Sequence, residues 1–219
     1  ARYYEIEVIV EQEDEVSDTW IVSHCPIRNA RWLRDHANEY ERVLYHCGNS
    51  EFHQYMFDLL EEVPGVVVLH DFFLSGIQAH REIHGSDHHA WARALQSSHG
   101  YGAVRERYLA GDVAEVIWRY PANLPVLQSA LGVIVHSEYS RNLAKDWYGP
   151  AAGSDWTAIP QVRVPLPPED RVSVRQAVGF SESDLVVCSF GLIGSTKLNH
   201  RLMNAWLESP LATDPNAHL

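Results

Sequence analysis

In the segment Tyr45-His46-Cys47-Gly48-Asn49-Ser50-Glu51-Phe52-His53 an apolar run stops on a glycine and a string of polar residues. In Gly65-Val66-Val67-Val68-Leu69-His70-Asp71 a second apolar run stops on His-Asp. Histidine and aspartate can move or orient protons, and asparagine and serine can hold hydroxyl groups. Two strands that both deliver polar residues at their C-terminal ends describe one rim of a parallel sheet, and in open α/β sheets ligands bind at that rim. On this reading His70 and Asp71 carry the chemistry, and Gly48, Asn49, Ser50 and His53 line the cleft. A polar group at the end of a buried strand is costly without a partner or a task, so His70 is either a site residue or a core histidine bonded to backbone. Asp71 either orients His70 or a bound hydroxyl, or caps the following helix. A tight turn with positive φ is expected at Gly48-Asn49, which would bring backbone close to the cleft. His53 either faces that cleft or stays on the surface.

Two later stretches offer further chemistry. Gly132-Val133-Ile134-Val135-His136 reads as another buried strand, after which Ser137 is placed to cap a helix. Glu138 and Arg141 follow on the cleft side, where they could hold substrate, bridge two domains or form a solvated pair. Lys197 follows the glycine turn at Gly191 and opens a helix whose free amides attract anions; the plainer alternative is a solvated lysine. His84, His88 and His89 surround Asp87, but the spacing lacks the paired pattern of a zinc motif, so a polar loop is expected and no metal site. No Ser-His-Asp or P-loop arrangement is evident.

The elements that must position these residues alternate. Strands are expected at 5–10, 42–45, 66–69, 132–136, 162–165 and, last, 185–190. Helices are expected at 31–40, 53–62, through most of 75–124, from Ser137 to Lys145, at 170–178 and from Leu198 onward. Residues 11–15 and 150–155 read as loops. Buried strands separated by helices predict an α/β fold built on a doubly wound parallel sheet. The proline-rich stretch 160–168 suggests a domain junction, with the boundary near 165–183.

Composition narrows the classes. With 46% apolar and 21% charged residues in 219, the chain can bury a full core and is not of disordered composition. A formal charge of −12 opposes nucleic acid as a partner and a polybasic membrane anchor alike. Cys25, Cys47 and Cys188 are odd in number and unpaired in spacing, which fits a reducing compartment, so a cytoplasmic location is expected. Ala1 in place of an initiator Met, and a helix barely complete before Leu219, suggest an internal piece of a longer protein.

The pieces Gly48-Asn49-Ser50 with His53, Val68-Leu69-His70-Asp71, Val135-His136-Ser137-Glu138-Tyr139-Ser140-Arg141 and Phe190-Gly191-Leu192-Ile193-Gly194-Ser195-Thr196-Lys197 occur in that order over nearly the whole chain. This order resembles the GT-B, family 4 glycosyltransferases, especially bacterial members linked to O-antigen or cell-surface polysaccharide. The resemblance implies two facing Rossmann-like domains: residues 1–165 on the acceptor side without the family's first strand, 166–183 as junction, and 184–219 as the opening of a nucleotide-sugar domain. It implies retention of anomeric configuration, a nucleotide-sugar donor, a glycan or lipid-linked saccharide acceptor, at most peripheral membrane association, and neither metal nor other cofactor. On it, His70 reaches the donor sugar with Asp71 beside it, Lys197 and Gly191 meet the donor diphosphate, and Gly48, Asn49, Ser50, His53, Glu138 and Arg141 shape the acceptor cleft. Leu192 stands where many relatives place an arginine. That departure keeps open a noncatalytic sugar- or nucleotide-binding relative, and a nucleotide-sugar epimerase of the same architecture is a third reading. Without a complete donor domain, the chain alone is expected to be inactive.

Overall fold

The computed structural model describes residues 3–12, 16–161, 168–191, 193–194 and 197–219. They fall into two units, Ala1–Val162 and Arg163–Leu219.

The first unit opens with β1 (Val8–Ile9), α1 (Thr19–His24), β2 (Ile27–Arg28) and α2 (Ala30–His36), and β1 pairs with β2 in a small parallel sheet of its own. Its centre is β3 (Leu44–Cys47), α3 (Tyr55–Glu62), β4 (Val66–Leu69), five helices, β5 (Gly132–Val135), α9 (Glu138–Tyr148) and β6 (Thr157–Ala158). The five helices are α4 (Ser75–His84), α5 (Ala90–His99), α6 (Tyr101–Leu109), α7 (Val113–Arg119) and α8 (Leu124–Ser129). Strands β3 to β6 form a four-stranded parallel sheet in the order β3-β4-β5-β6, flanked by helices. This is an α/β architecture compatible with a Rossmann-like fold.

Alternation along the strands sets the core. Tyr45, Cys47, Val67, Leu69, Val133 and Val135 are buried and share one face of the sheet. Leu33 of α2, Phe57, Leu59 and Leu60 of α3, Val126 of α8 and Ala144 of α9 join them in one cluster. The strand order never reverses within these four strands, so crossovers of a single hand lay their helices on a single face. The reversal that defines double winding therefore does not occur among β3–β6. The opposite face carries Leu44, which is 51% exposed, and His46, also exposed.

Local signals account for where elements stop. Pro64 disfavours helical backbone at Val63, and α3 ends there with the Val63 N–H donating to the Leu59 carbonyl at 2.8 Å. Gly65 is required next: a Cβ there would lie 2.6 Å from the Val43 carbonyl oxygen. Several expectations shift. The strand expected over 5–10 is only Val8–Ile9, and α1, β2 and β6 appear where no element was read. The strand expected at 162–165 lies outside the described residues. Ser137 takes the N-cap position of α9 with extended backbone, but its side chain makes no capping bond.

The second unit holds α10 (Arg171–Ala177), β7 (Leu185–Val186), α11 (Asn199–Leu207) and β8 (Ala217–His218). Asp170 caps α10 by accepting from the Ser173 N–H at 3.1 Å. β7 and β8 pair in parallel around α11, so the strand beginning at Leu185 is not the last one. It is also far shorter than 185–190.

Candidate functional site

The parallel register brings together side chains that are far apart in sequence. His46 pairs with Val68 and Val68 with Ile134, while His70 and His136 each follow by one residue the paired Leu69 and Val135. All three histidines have the parity of the sheet face opposite the core, at its C-terminal rim. There they bond to one another. Nδ1 of His46 lies 3.0 Å from Nε2 of His70, and Nδ1 of His70 lies 3.2 Å from Nε2 of His136. Nδ1 of His136 lies 2.9 Å from the carbonyl oxygen of Ile159, just beyond β6. The rings stack or tilt face to face, with centroids 5.3 Å apart for His46 and His70 and 4.9 Å for His70 and His136.

These contacts assign the protons. A carbonyl oxygen only accepts, so His136 must carry its proton on Nδ1 and offer a lone pair at Nε2. His70 must then donate from Nδ1, leaving Nε2 to accept from Nδ1 of His46. All three neutral rings are held as the Nδ1–H tautomer. Among the described residues the remaining lone pair, on Nε2 of His46, has no hydrogen-bond partner. Although His46 is exposed as a residue, partial desolvation of its ring and the neighbouring His136 and His53 hold it below its usual range. His70 is lowered too, first by burial and then by His46, His136 and His53, against a smaller opposing effect of Asp71.

Beside the row, Gly48, Asn49, Ser50, His53 and Asp71 form a tied loop. The Asn49 N–H donates to Asp71 Oδ2 at 2.8 Å, and Asn49 Oδ1 accepts from the Ile77 N–H at 2.8 Å. Asn49 thus supplies the cap for α4 that Leu74, the residue at the cap position, cannot. Gly76 permits the approach, since a Cβ there would meet the Asn49 amide at 2.8 Å. Of the two alternatives for Asp71, the cap of the following helix is Asn49's instead, and the Asp71 carboxylate holds the loop. Gly48 does not have positive φ, contrary to expectation. Glycine is needed for space instead: a Cβ would sit 2.9 Å from His53 Cε1 and 3.1 Å from Asp71 Oδ2. Ser50 opens the turn Glu51–His53 without a side-chain cap, and its carbonyl accepts from the His53 N–H at 3.0 Å. Among the described residues Nδ1 of His53 is buried with no partner.

The strand end bearing His70 and Asp71 is clamped from behind. Asn123 is fully buried; its Nδ2 donates to the Phe72 carbonyl at 2.5 Å, and its Oδ1 accepts from the Tyr148 hydroxyl. The Leu74 N–H donates to the Pro121 carbonyl at 2.8 Å, and the Ser75 hydroxyl donates to the Tyr120 carbonyl at 2.5 Å.

The other predicted residues have separate surroundings. Arg141 donates to both carboxylate oxygens of Glu138 at 3.1 Å, to the Gly153 carbonyl at 3.0 Å and to the Ser154 carbonyl at 3.3 Å. Arg141 therefore fastens the loop after α9, and Glu138 pairs with it along the helix. In the second unit, Gly191 has φ 121°, and a Cβ on it would lie 3.3 Å from Cε of Lys197, so the lysine stem lies over the glycine. Lys197 is exposed and precedes α11 by two residues, with Leu198 left-handed at φ 54° between them. Lys197 thus ends the turn before the helix, which begins at Asn199 rather than Leu198. Leu192 lies outside the described residues. Asp87 accepts from the His89 N–H at 3.1 Å and pairs with Arg93, which makes the 84–89 segment a turn into α5.

Among the described residues no group of three or more His, Cys, Asp or Glu is arranged to hold a metal ion. The histidine row is linear, with both nitrogens of His70 turned to its neighbours, so the rings do not converge on one point. A cavity of about 360 Å³ among α3, α4, α5 and α8 is bordered by the pairs Arg81–Asp58 and Arg93–Asp87, and none of the rim residues lines it. No helix among the described residues is long and apolar enough to cross a membrane.

His46 and His136 were not singled out from the sequence. A signal was present: Leu44-Tyr45-His46, Val68-Leu69-His70 and Ile134-Val135-His136 are three apolar runs that each end on histidine. Comparison with known proteins adds no assignment: no family model, curated protein or solved structure matches the chain. Fold and site define an α/β chain with a histidine-lined rim at the C-terminal ends of parallel strands.

Proposed function

We propose that the chain belongs to a retaining glycosyltransferase of the GT-B, family 4 type, which moves a sugar from a nucleotide-sugar donor to a glycan or lipid-linked acceptor in surface polysaccharide synthesis. The observation that supports this is the presence of two strand-to-helix connections, one in each unit, with complementary chemistry. In the first unit the rim past β3–β5 gathers hydrogen-bonding groups around His70, the rings of His46 and His136 with the Asp71 carboxylate beside them, suited to sugar hydroxyls. In the second unit the connection from β7 to α11 sets the Lys197 ammonium stem over Gly191, suited to a diphosphate. Sugar transfer releases negative charge on the departing phosphate, and a fixed cation beside it stabilises that charge. In this reading His70 positions the sugar, Asp71 and Asn49 hold the loop that shapes the acceptor side, and Lys197 meets the donor diphosphate.

Titrating the chain calorimetrically with a panel of nucleoside diphosphate sugars tests this. One member should bind, and Lys197→Ala should weaken it about tenfold or more, roughly 1.4 kcal/mol, with an unchanged thermal midpoint. Failure of every donor to bind, or a Lys197→Ala variant that binds as well as the parent, refutes the reading.

A further inference from the structure

The contacts that hold the histidine row together also limit how many protons it can carry. In the neutral row every lone pair but one is used: Nε2 of His70 and of His136 accept from the preceding ring, and only Nε2 of His46 is open. A proton added at that position makes His46 an imidazolium and breaks no hydrogen bond. A second proton has no free lone pair and would set two N–H groups against each other. The row therefore holds one proton.

We propose that His46, His70 and His136 form a one-proton relay whose port, Nε2 of His46, accepts the proton of a hydroxyl group bound at the rim. The hydroxyl O–H bond breaks, its electron pair stays on oxygen, and the proton goes to Nε2 of His46. The Nδ1 proton of His46 can then pass to Nε2 of His70, and the Nδ1 proton of His70 to Nε2 of His136. His136 becomes the imidazolium, still donating from Nδ1 to the Ile159 carbonyl. Charge is +1 at every stage, and the reverse sequence returns the proton through His46 to water.

The surroundings suit such a device. The groups facing the row are His53, from the turn after β3, and Asp71, from the β4–α4 connection. Asp71 Oδ2 accepts from the Asn49 N–H, which fixes the carboxylate beside His70. Only the port lies at the outer edge of the sheet, on the edge strand β3. His46 thereby becomes the residue that touches the reacting hydroxyl, and His70 and His136 act through it. That the hydroxyl is a saccharide's rests on the transferase reading; the relay does not.

Two measurements on the whole chain decide the matter without any turnover. Nitrogen-15 NMR at about pH 8 should find all three rings as the Nδ1–H tautomer, and acidification to about pH 5.5, a unit below an ordinary histidine, should add one proton to the row. Diethyl pyrocarbonate, which acylates a free imidazole lone pair, should modify His46 well before His70 or His136, and His70→Leu should expose Nε2 of His136 to modification. An Nε2–H tautomer in any of the three wild-type rings, uptake of two or three protons, or equal reactivity of the three rings overturns the proposal. If the tautomers and reactivity are as expected but no nucleotide sugar binds, the transferase reading falls and the relay stands. If a donor binds and the tautomers differ, the relay falls alone.

Discussion

Histidine is used in two opposite ways in the first unit. At the rim, His46, His70 and His136 bond to one another and leave one lone pair open. In the helical layer, His99 at the end of α5 is boxed by Tyr120, Trp147 and Tyr148, with ring centroids at 5.1, 4.9 and 6.2 Å. Its Nε2 accepts from the Ala122 N–H at 3.1 Å, and Ala122 is fully buried with φ 50°. Burial pushes His99 down to about 4. The same ring is thus a neutral structural acceptor where aromatic residues enclose it, and part of a proton-carrying row where strand ends leave it open. Enclosure, not residue type, separates the two roles.

The largest effect that would test this contrast is His99→Ala. It removes the only described partner of a buried N–H and leaves a void among aromatic rings, and it should cost about 2–4 kcal/mol. Urea denaturation measures it directly, and a loss below about 1 kcal/mol would mean that His99 is not the keystone of that layer.

Acid should reveal the same residue next. The unfolded chain takes up this proton near 6.5, but the folded chain only near 4, so the unfolded state binds more protons between those values. Stability from His99 is therefore complete above about 6.5, falls as pH drops toward 4 and changes no further below, by about 3 kcal/mol. His99→Gln should flatten that part of the stability curve. An unchanged slope would place the acid sensitivity elsewhere.

At the rim the effects should be smaller. In Gly48→Ala the added methyl presses on the His53 ring and the Asp71 carboxylate, at a cost of about 1–2 kcal/mol. Hydrogen exchange should then quicken at the Asn49 and Ile77 amides, and unaltered protection there would show that the loop yields without strain. The smallest change is expected for His46→Gln, within about 0.5 kcal/mol of the parent, since His46 is exposed on an edge strand. A large loss would convert the row from a chemical device into a structural one.

The sequence by itself determined the strands that matter here. The apolar runs read as strands at 42–45, 66–69 and 132–136, each flanked by turn or helix signals, have few alternatives to parallel strands joined by helices, and the first of them forms two residues later, at Leu44–Cys47. It also determined that His70 and Asp71 lie at a strand's C-terminal end beside the Gly48–Ser50 loop. The short elements β2, β6 and β8 were not legible, because two-residue strands leave almost no periodicity and exist only through their partners.

Only the tertiary structure decided how the site is wired. Whether Asp71 caps its own helix or holds Asn49, which is 22 residues away, depends on two loops meeting. Whether Gly48 serves a positive φ or an occupied volume depends on where His53 folds back. Three runs ending in histidine become a row only when β3, β4 and β5 lie side by side in one register. The proton on each ring is then set by a neighbour 24 or 66 residues distant, and finally by one carbonyl beyond β6. A tautomer is fixed by what lies about 3 Å away, and chain order carries no such distance until the sheet has formed.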